Sequence, residues 1–182
     1  MAETVANAAG APPVEPKILF LPQNGWIPNN PRLPVLLYRT DLAATPDLAH
    51  HFETLFRETG WPPQWRNGIF PFHHYHAASH EVLGIAAGTA QVMLGGLGGP
   101  VVGLSAGDVT VLPVGTGHCL LVASPDFLVV GAYPPGQDGT YQTSKPTPAQ
   151  IEMMEQLPFP ASDPLSGAQG PLPRLWHKAR PH

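Results

Sequence analysis

Charge is scarce in this chain and unevenly placed. Only 12% of its 182 residues are Asp, Glu, Lys or Arg, and between Arg66 and Lys145 there is no basic residue at all. Phosphate and carboxylate recognition usually draws on a guanidinium or ammonium group. A cavity built from this stretch is therefore poorly equipped for sugar phosphates, nucleotide sugars or oxalate-like dianions, unless Arg39, Arg66 or a bound cation supplies the charge. A small-molecule substrate that is neutral or weakly acidic and fairly apolar fits better. Nucleic acid is excluded on the same ground, since no basic patch interleaved with aromatics exists. Cysteine occurs once, at Cys119, so no internal disulfide can form, and the residue reads as a small core side chain. No apolar run reaches the roughly 18 residues of a membrane span. The segment from Met1 to Pro16 carries Glu3 and Glu15 without a basic start or a sustained apolar stretch, unlike a secretory signal. These absences point to the cytoplasm, and residues 1–16 are expected to be a disordered arm.

Proline and glycine are abundant instead, at 24 and 19 residues. The prolines cluster before Arg39 and after Tyr133, so those flanks read as extended arms around one domain. The expected organisation is residues 17–66 as N-terminal strands and a helix packing on a barrel, 67–144 as the barrel, and 145–182 as a C-terminal helix with a Pro-rich arm.

The barrel stretch holds the chemistry. From Gly68 to Gly88 it reads G-x5-H-x-H-x4-E-x6-G, and from Gly107 it reads G-x5-P-x-G-x2-H. Alternate side chains of a strand share a face, so His74 and His76 project the same way, their Cα atoms about 7 Å apart. Phe70 and Phe72 share that parity and are expected to line the same cavity and keep it dry. Ala77, Ala78 and Ser79 suit a bend, after which Glu81 opens a strand in register with Leu83 and Ile85. The spacing predicts further strands at 89–94 and 109–112, and His118 follows the tight loop from Pro113 to Gly117. A single histidine in an apolar strand is more often a hydrogen-bonded core residue than a ligand. The joint pattern instead makes His74, His76, Glu81 and His118 candidate ligands for one divalent transition metal. Imidazole and carboxylate donors suit iron first, with Mn, Ni, Cu or Zn as alternatives. His73 and His80 have the opposite parity and read as structural, although a one-residue bulge near Ser79 would exchange His80 with Glu81. Ligands drawn from separate strands imply an all-β jelly roll or small barrel enclosing the metal.

Two helices are expected on the outside. The first takes Thr45 as N-cap and Pro46 as its first residue, presents Leu48, Phe52, Leu55 and Phe56 on one face, and ends at Gly60. The second begins with the capping box Thr147-Pro148-Ala149-Gln150, and Met153-Met154 reads as core packing. Apolar runs at Val101-Val102, 109–112, 120–122 and 128–130 need cover on both faces, which predicts a homodimer formed through an outer sheet face or exchanged N-terminal strands.

The two motifs resemble the signatures of the cupin superfamily, which implies a double-stranded β-helix with a few peripheral helices. The first motif is matched at Gly68, His74, His76, Glu81 and Gly88, and the second at Gly107, Pro113, Gly115 and His118. Val122 replaces the asparagine expected four residues after the histidine. Asn24-Gly25, Ile27-Pro28-Asn29-Asn30, Trp65-Arg66-Asn67-Gly68-Ile69-Phe70, His73-His74-Tyr75-His76, Asp163-Pro164-Leu165 and Gly170-Pro171-Leu172 are similar to a bacterial single-domain cupin family of the YjlB type, over residues 17 to 177. That resemblance implies fold and metal and leaves the reaction open. Three readings follow: a metal-dependent, dioxygenase-like oxidoreductase in which Glu81 holds the metal or acts as a base, a non-catalytic small-molecule binder or sensor, and a metal-dependent isomerase. The last needs an acid–base pair, for which Tyr75 and His73 are near in sequence but face away.

Overall fold

The computed structural model describes residues 13–178. The first twelve residues of the arm expected to be disordered therefore lie outside the described part. In chain order the elements are β1 (Lys17–Leu19), β2 (Val35–Tyr38), a 3-10 turn (Leu42–Ala44), α1 (Leu48–Glu58), β3 (Pro63–Asn67), β4 (Tyr75–His76), β5 (Glu81–Ala87), β6 (Thr89–Leu94) and β7 (Val101–Ser105). They continue with β8 (Val109–Leu112), β9 (His118–Ala123), β10 (Leu128–Ala132), β11 (Tyr141–Gln142), α2 (Pro148–Gln156) and α3 (Pro171–Lys178). All strand pairs are antiparallel. One sheet runs β1-β2-β8-β5-β10-β3, and a second runs β7-β6-β9. The short β11-β4 pair joins the second sheet through a bridge between His74 and His118. The result is the all-β double-stranded β-helix.

Period-2 alternation divides the apolar residues between two cores. Val35, Leu37, Leu83, Ile85, Leu112 and Val129 face the second sheet and pack on Val92, Leu94 and Leu104. Their neighbours Leu36, Tyr38, Val82, Val109, Val111 and Val130 point the other way, where α1 supplies Phe52 and Phe56, and α3 supplies Leu172 and Trp176. The six-stranded sheet is thus covered on both faces, and β2 and β8 are buried at every position. The three-stranded sheet is not: Val101, Leu121 and Val122 are exposed on its outer strands.

Local details depart from expectation at several points. Thr45 does not cap α1, because its N–H closes the 3-10 turn onto the Leu42 carbonyl. Asp47 takes the cap in a left-handed conformation (φ 44°) and accepts from the His50 N–H. Gly60 follows the helix at φ 84°, as its conformational freedom allows. The capping box of α2 forms with both of its hydrogen bonds. Yet α2 buries no residue, and Met153 is 47% exposed instead of packed in the core. The third helix has no counterpart in the sequence reading, although Leu172, Leu175 and Trp176 carry helical spacing. No helix among the described residues is long and apolar enough to cross a membrane.

Candidate metal centre

The last turns of the chain before His118 are fixed from outside the barrel. Buried Asn29 donates from its amide to the Pro22 and Gly95 carbonyls and accepts from the Gly117 N–H. Asn30 donates to the Val114 carbonyl, and the fully buried His80 accepts the Val114 N–H on Nδ1 at 3.0 Å. His80 therefore points away from the centre, and Glu81, not His80, faces His76 and His118. His74 and His118 then exchange both backbone hydrogen bonds across the bridge, which sets their side chains together.

The structure brings His74, His76 and His118 into one buried group whose ligand atoms all lie within 4.8 Å of one another, an arrangement that could hold a metal ion. Each imidazole is oriented through its other nitrogen. Nδ1 of His74 meets the Phe72 carbonyl at 3.0 Å, that of His76 the Thr140 carbonyl at 2.9 Å, and that of His118 the Thr116 carbonyl at 3.1 Å. A carbonyl only accepts, so all three Nδ1 atoms carry protons and the neutral rings direct their Nε2 lone pairs inward. Glu81 adjoins the group from one side. Its two oxygens lie 3.3 Å from His76 Nε2 and 3.3 Å from His118 Nε2. An imidazole lone pair facing a carboxylate at that range is unfavourable, and either a proton on Nε2 or a shared cation relieves it. The donor set, with one buried carboxylate oxygen lacking any hydrogen-bond partner, fits a divalent transition metal.

Electrostatics follow the same geometry. Burial pushes the His74 pKa down to about 3, helped by neighbouring His118. Burial acts likewise on His76, but the charge and hydrogen bond of Glu81 outweigh it and raise that group. Burial opposes ionisation of Glu81, yet His76 and His118 together hold its carboxyl well below the usual range.

The surroundings correct one expectation and add one residue. Phe70 and Phe72 do not line the interior: they stack on each other at the rim, 41% and 39% exposed, and meet Tyr141 and the edge of His74. Dryness comes instead from the aliphatic filling, since the barrel interior beside His118 leaves a cavity of only about 10 Å³. The residue missed by the motif is Tyr133, whose hydroxyl donates to Glu81 Oε1 at 2.9 Å. Its alternation with Val129 and Gly131 was the available signal. Tyr75 faces away, its hydroxyl donating to the Ser144 carbonyl. Val122, standing for the motif's asparagine, is 60% exposed on the outer sheet and takes no part in the centre.

A double-stranded β-helix with this histidine cluster on its strands is a cupin. No protein-family model matches the chain. The uncharacterized protein YjlB of Bacillus subtilis strain 168 is 38% identical over 166 residues, covering 90% of this chain and 98% of that protein. The chain belongs to the YjlB family. Among solved structures, the DMSP lyase DddQ of Ruegeria pomeroyi DSS-3 shares 17% identity over 59% of this chain and 40% of its own, with a TM-score of 0.35. A DUF861 family protein of Thermotoga maritima shares 20% over 53% of this chain and 96% of its own, with a TM-score of 0.33. Similarity at that level carries nothing about activity.

Proposed function

We propose that this cupin is a metal-dependent oxidoreductase of the dioxygenase type, acting on a small, neutral or weakly acidic organic molecule. His74, His76, His118 and Glu81 hold one divalent transition metal, with iron(II) the first choice. The observation that carries the reading is the common orientation of the three imidazoles, each with Nδ1–H committed to a backbone carbonyl and Nε2 turned to the same point. One such bond would equally satisfy a buried structural histidine; three of them on rings whose ligand atoms converge match the usual means of fixing metal ligands' tautomers.

Bound iron(II) supplies Lewis acidity and, with dioxygen, one-electron chemistry. The chain's own residues do the rest. The carbonyl bonds fix the tautomer and align the imidazoles, and Glu81 would offset the cation's charge. In the alternative role Glu81 leaves the metal and, as an ionised carboxylate, accepts a substrate proton as the catalytic base. The cavity beside His118, about 10 Å³, is too small for an organic molecule, and this favours an approach over the rim formed by Phe70, Phe72 and Tyr141, whose rings are half-exposed around His74. The absence of Lys and Arg from 67–144 matches that apolar entrance.

The test is elemental analysis of protein purified without a metal-affinity column, alongside His76→Ala, followed by dioxygen uptake with phenolic and enolisable compounds. About one equivalent of iron, lost in the variant, together with substrate-dependent uptake is the expected result. Wild-type metal well below one equivalent removes the proposal. A metal-replete protein without uptake leaves the small-molecule binder.

A further inference from the structure

The two oxygens of the Glu81 carboxylate are not equivalent. Oε1 accepts the hydrogen bond of the Tyr133 hydroxyl at 2.9 Å and lies on the His76 side. Oε2 lies on the His118 side and, although buried, has no hydrogen-bond partner. Tyr133 is itself constrained, since Trp65 Nε1 donates to its hydroxyl at 2.8 Å. An indole N–H can only donate, so the direction of the chain is settled: Trp65 to Tyr133 to Glu81. Two glycines make room for it. A β-carbon at position 139 would stand 2.5 Å from the Tyr133 hydroxyl oxygen, and one at position 131 would run into the Trp65 indole. Tyr133 is 1% exposed and also packs edge-on against His76, with ring centroids 5.7 Å apart.

We infer that Tyr133 is the positioning residue of the metal centre: by occupying Oε1 it leaves Oε2 as the single oxygen that Glu81 offers to the metal. This rests on the metal-binding reading above. A carboxylate bound through one oxygen takes one coordination position where a chelating one takes two, so the hydrogen bond keeps a position free for substrate or dioxygen. Tyr133 acts through Glu81.

The experiment uses the full chain, stripped of metal and titrated with Mn(II) followed by electron paramagnetic resonance, with crystal structures of the loaded forms. Wild type is expected to coordinate through Oε2 alone. Tyr133→Phe is expected to bind Mn(II) about 10- to 100-fold more weakly, the usual cost of losing an outer hydrogen-bond partner, and to swing Glu81 into two-oxygen coordination. Trp65→Phe keeps the tyrosine hydroxyl but frees it, and is expected to show a smaller loss. A residue that merely supports the fold would lower the melting temperature of the metal-free protein and leave the coordination mode unchanged. Two-oxygen coordination in wild type, or wild-type affinity and coordination in Tyr133→Phe, overturns the inference. Should Tyr133→Phe fail to fold, unchanged affinity in Trp65→Phe overturns it instead. If wild type binds Mn(II) no better than His76→Ala, the metal reading falls as well. If wild type binds, His76→Ala does not, and Tyr133→Phe matches wild type, only the positioning role is lost.

Discussion

Tyr38, at the end of β2, donates its hydroxyl hydrogen bond to the carboxylate of Asp163, 125 residues away in sequence. Asp163 is completely buried and also accepts the backbone N–H groups of Leu165, Ser166 and Leu172. One carboxylate thereby shapes the turn before α3 and fastens that turn to the six-stranded sheet. Trp176 completes the attachment by donating to the Pro34 carbonyl. Burial, followed by the Asp163 charge, raises the Tyr38 pKa, so the hydroxyl keeps its proton. Tyr38→Phe removes one charge-assisted hydrogen bond from a buried acceptor and is expected to destabilise the fold by about 1.5–3 kcal/mol. Urea unfolding measures this, and metal content should not change. A loss under about 0.5 kcal/mol, within the range of an ordinary surface substitution, would contradict the role given to this pair.

His80 is expected to make the fold sensitive to acid. It lies between the Val114 N–H and the rings of Trp176 and Phe159, and burial pushes its pKa down to about 3, against the Pro158 carbonyl. A histidine whose folded pKa is depressed gives full stability above its unfolded value near 6.5, and loses it as pH falls toward the folded value. Between pH 7 and 5 this one group costs about 2 kcal/mol. His80→Asn, whose side-chain oxygen can still accept from Val114, should flatten the urea-unfolding profile by that amount, with chelator present in both proteins. An identical pH slope in the two would show that another group controls the acid transition.

Gly84 sits in β5 where α1 crosses the sheet. A β-carbon there would lie 2.9 Å from Phe52 Cγ and 2.9 Å from Phe56 Cζ. Both rings are fully buried and stacked on each other, so neither can give way cheaply. Gly84→Ala is expected to destabilise by about 1–3 kcal/mol through overpacking, despite the small entropic gain of losing a glycine. A more stable variant in thermal unfolding would mean that α1 rests loosely on the sheet.

Glu81 is the sole negative side chain in contact with His76 and His118 among the described ion pairs. Glu81→Gln preserves shape while removing charge, and is expected to weaken Mn(II) binding by more than about 100-fold, beyond the usual cost of an outer partner. Retention of wild-type affinity would move the fourth ligand elsewhere.

Val101, Leu121 and Val122 are exposed on the outer strands of the small sheet, and we propose that face, in preference to exchanged N-terminal strands, as the homodimer contact. Light scattering at micromolar concentration is expected to give twice the chain mass, and Val122→Glu to give the monomer. A monomeric wild type would count against the pairing.

Much of this architecture was legible because strands write their facing into the sequence with a period of two. The strands at 89–94 and 109–112 and the inward parity of Glu81 with Leu83 and Ile85 follow from that rule, as does the convergence of His74 and His76. The carbonyls of Phe72, Thr116 and Thr140 that orient the imidazoles were not legible, since a backbone acceptor leaves no residue signature. Tyr133 belongs to neither histidine motif and lies one residue past the end of β10, so only its parity with Val129 and Gly131 points to the centre. In α3, Pro171 and Pro173 read as an arm, yet both fall in the first turn, where a missing N–H costs nothing. Asp47 caps α1 although Thr45 beside Pro46 is the commoner cap pattern in the sequence.

The near-solid filling of the barrel carries a consequence for how such a protein diversifies. Under the proposed function, a molecule that cannot be swallowed would be gripped at the doorway, and selectivity would reside in two short surface strips, around 69–73 and 138–144. Exchanging those strips between relatives should redirect which compound is accepted while the aliphatic layers beneath go on folding unchanged.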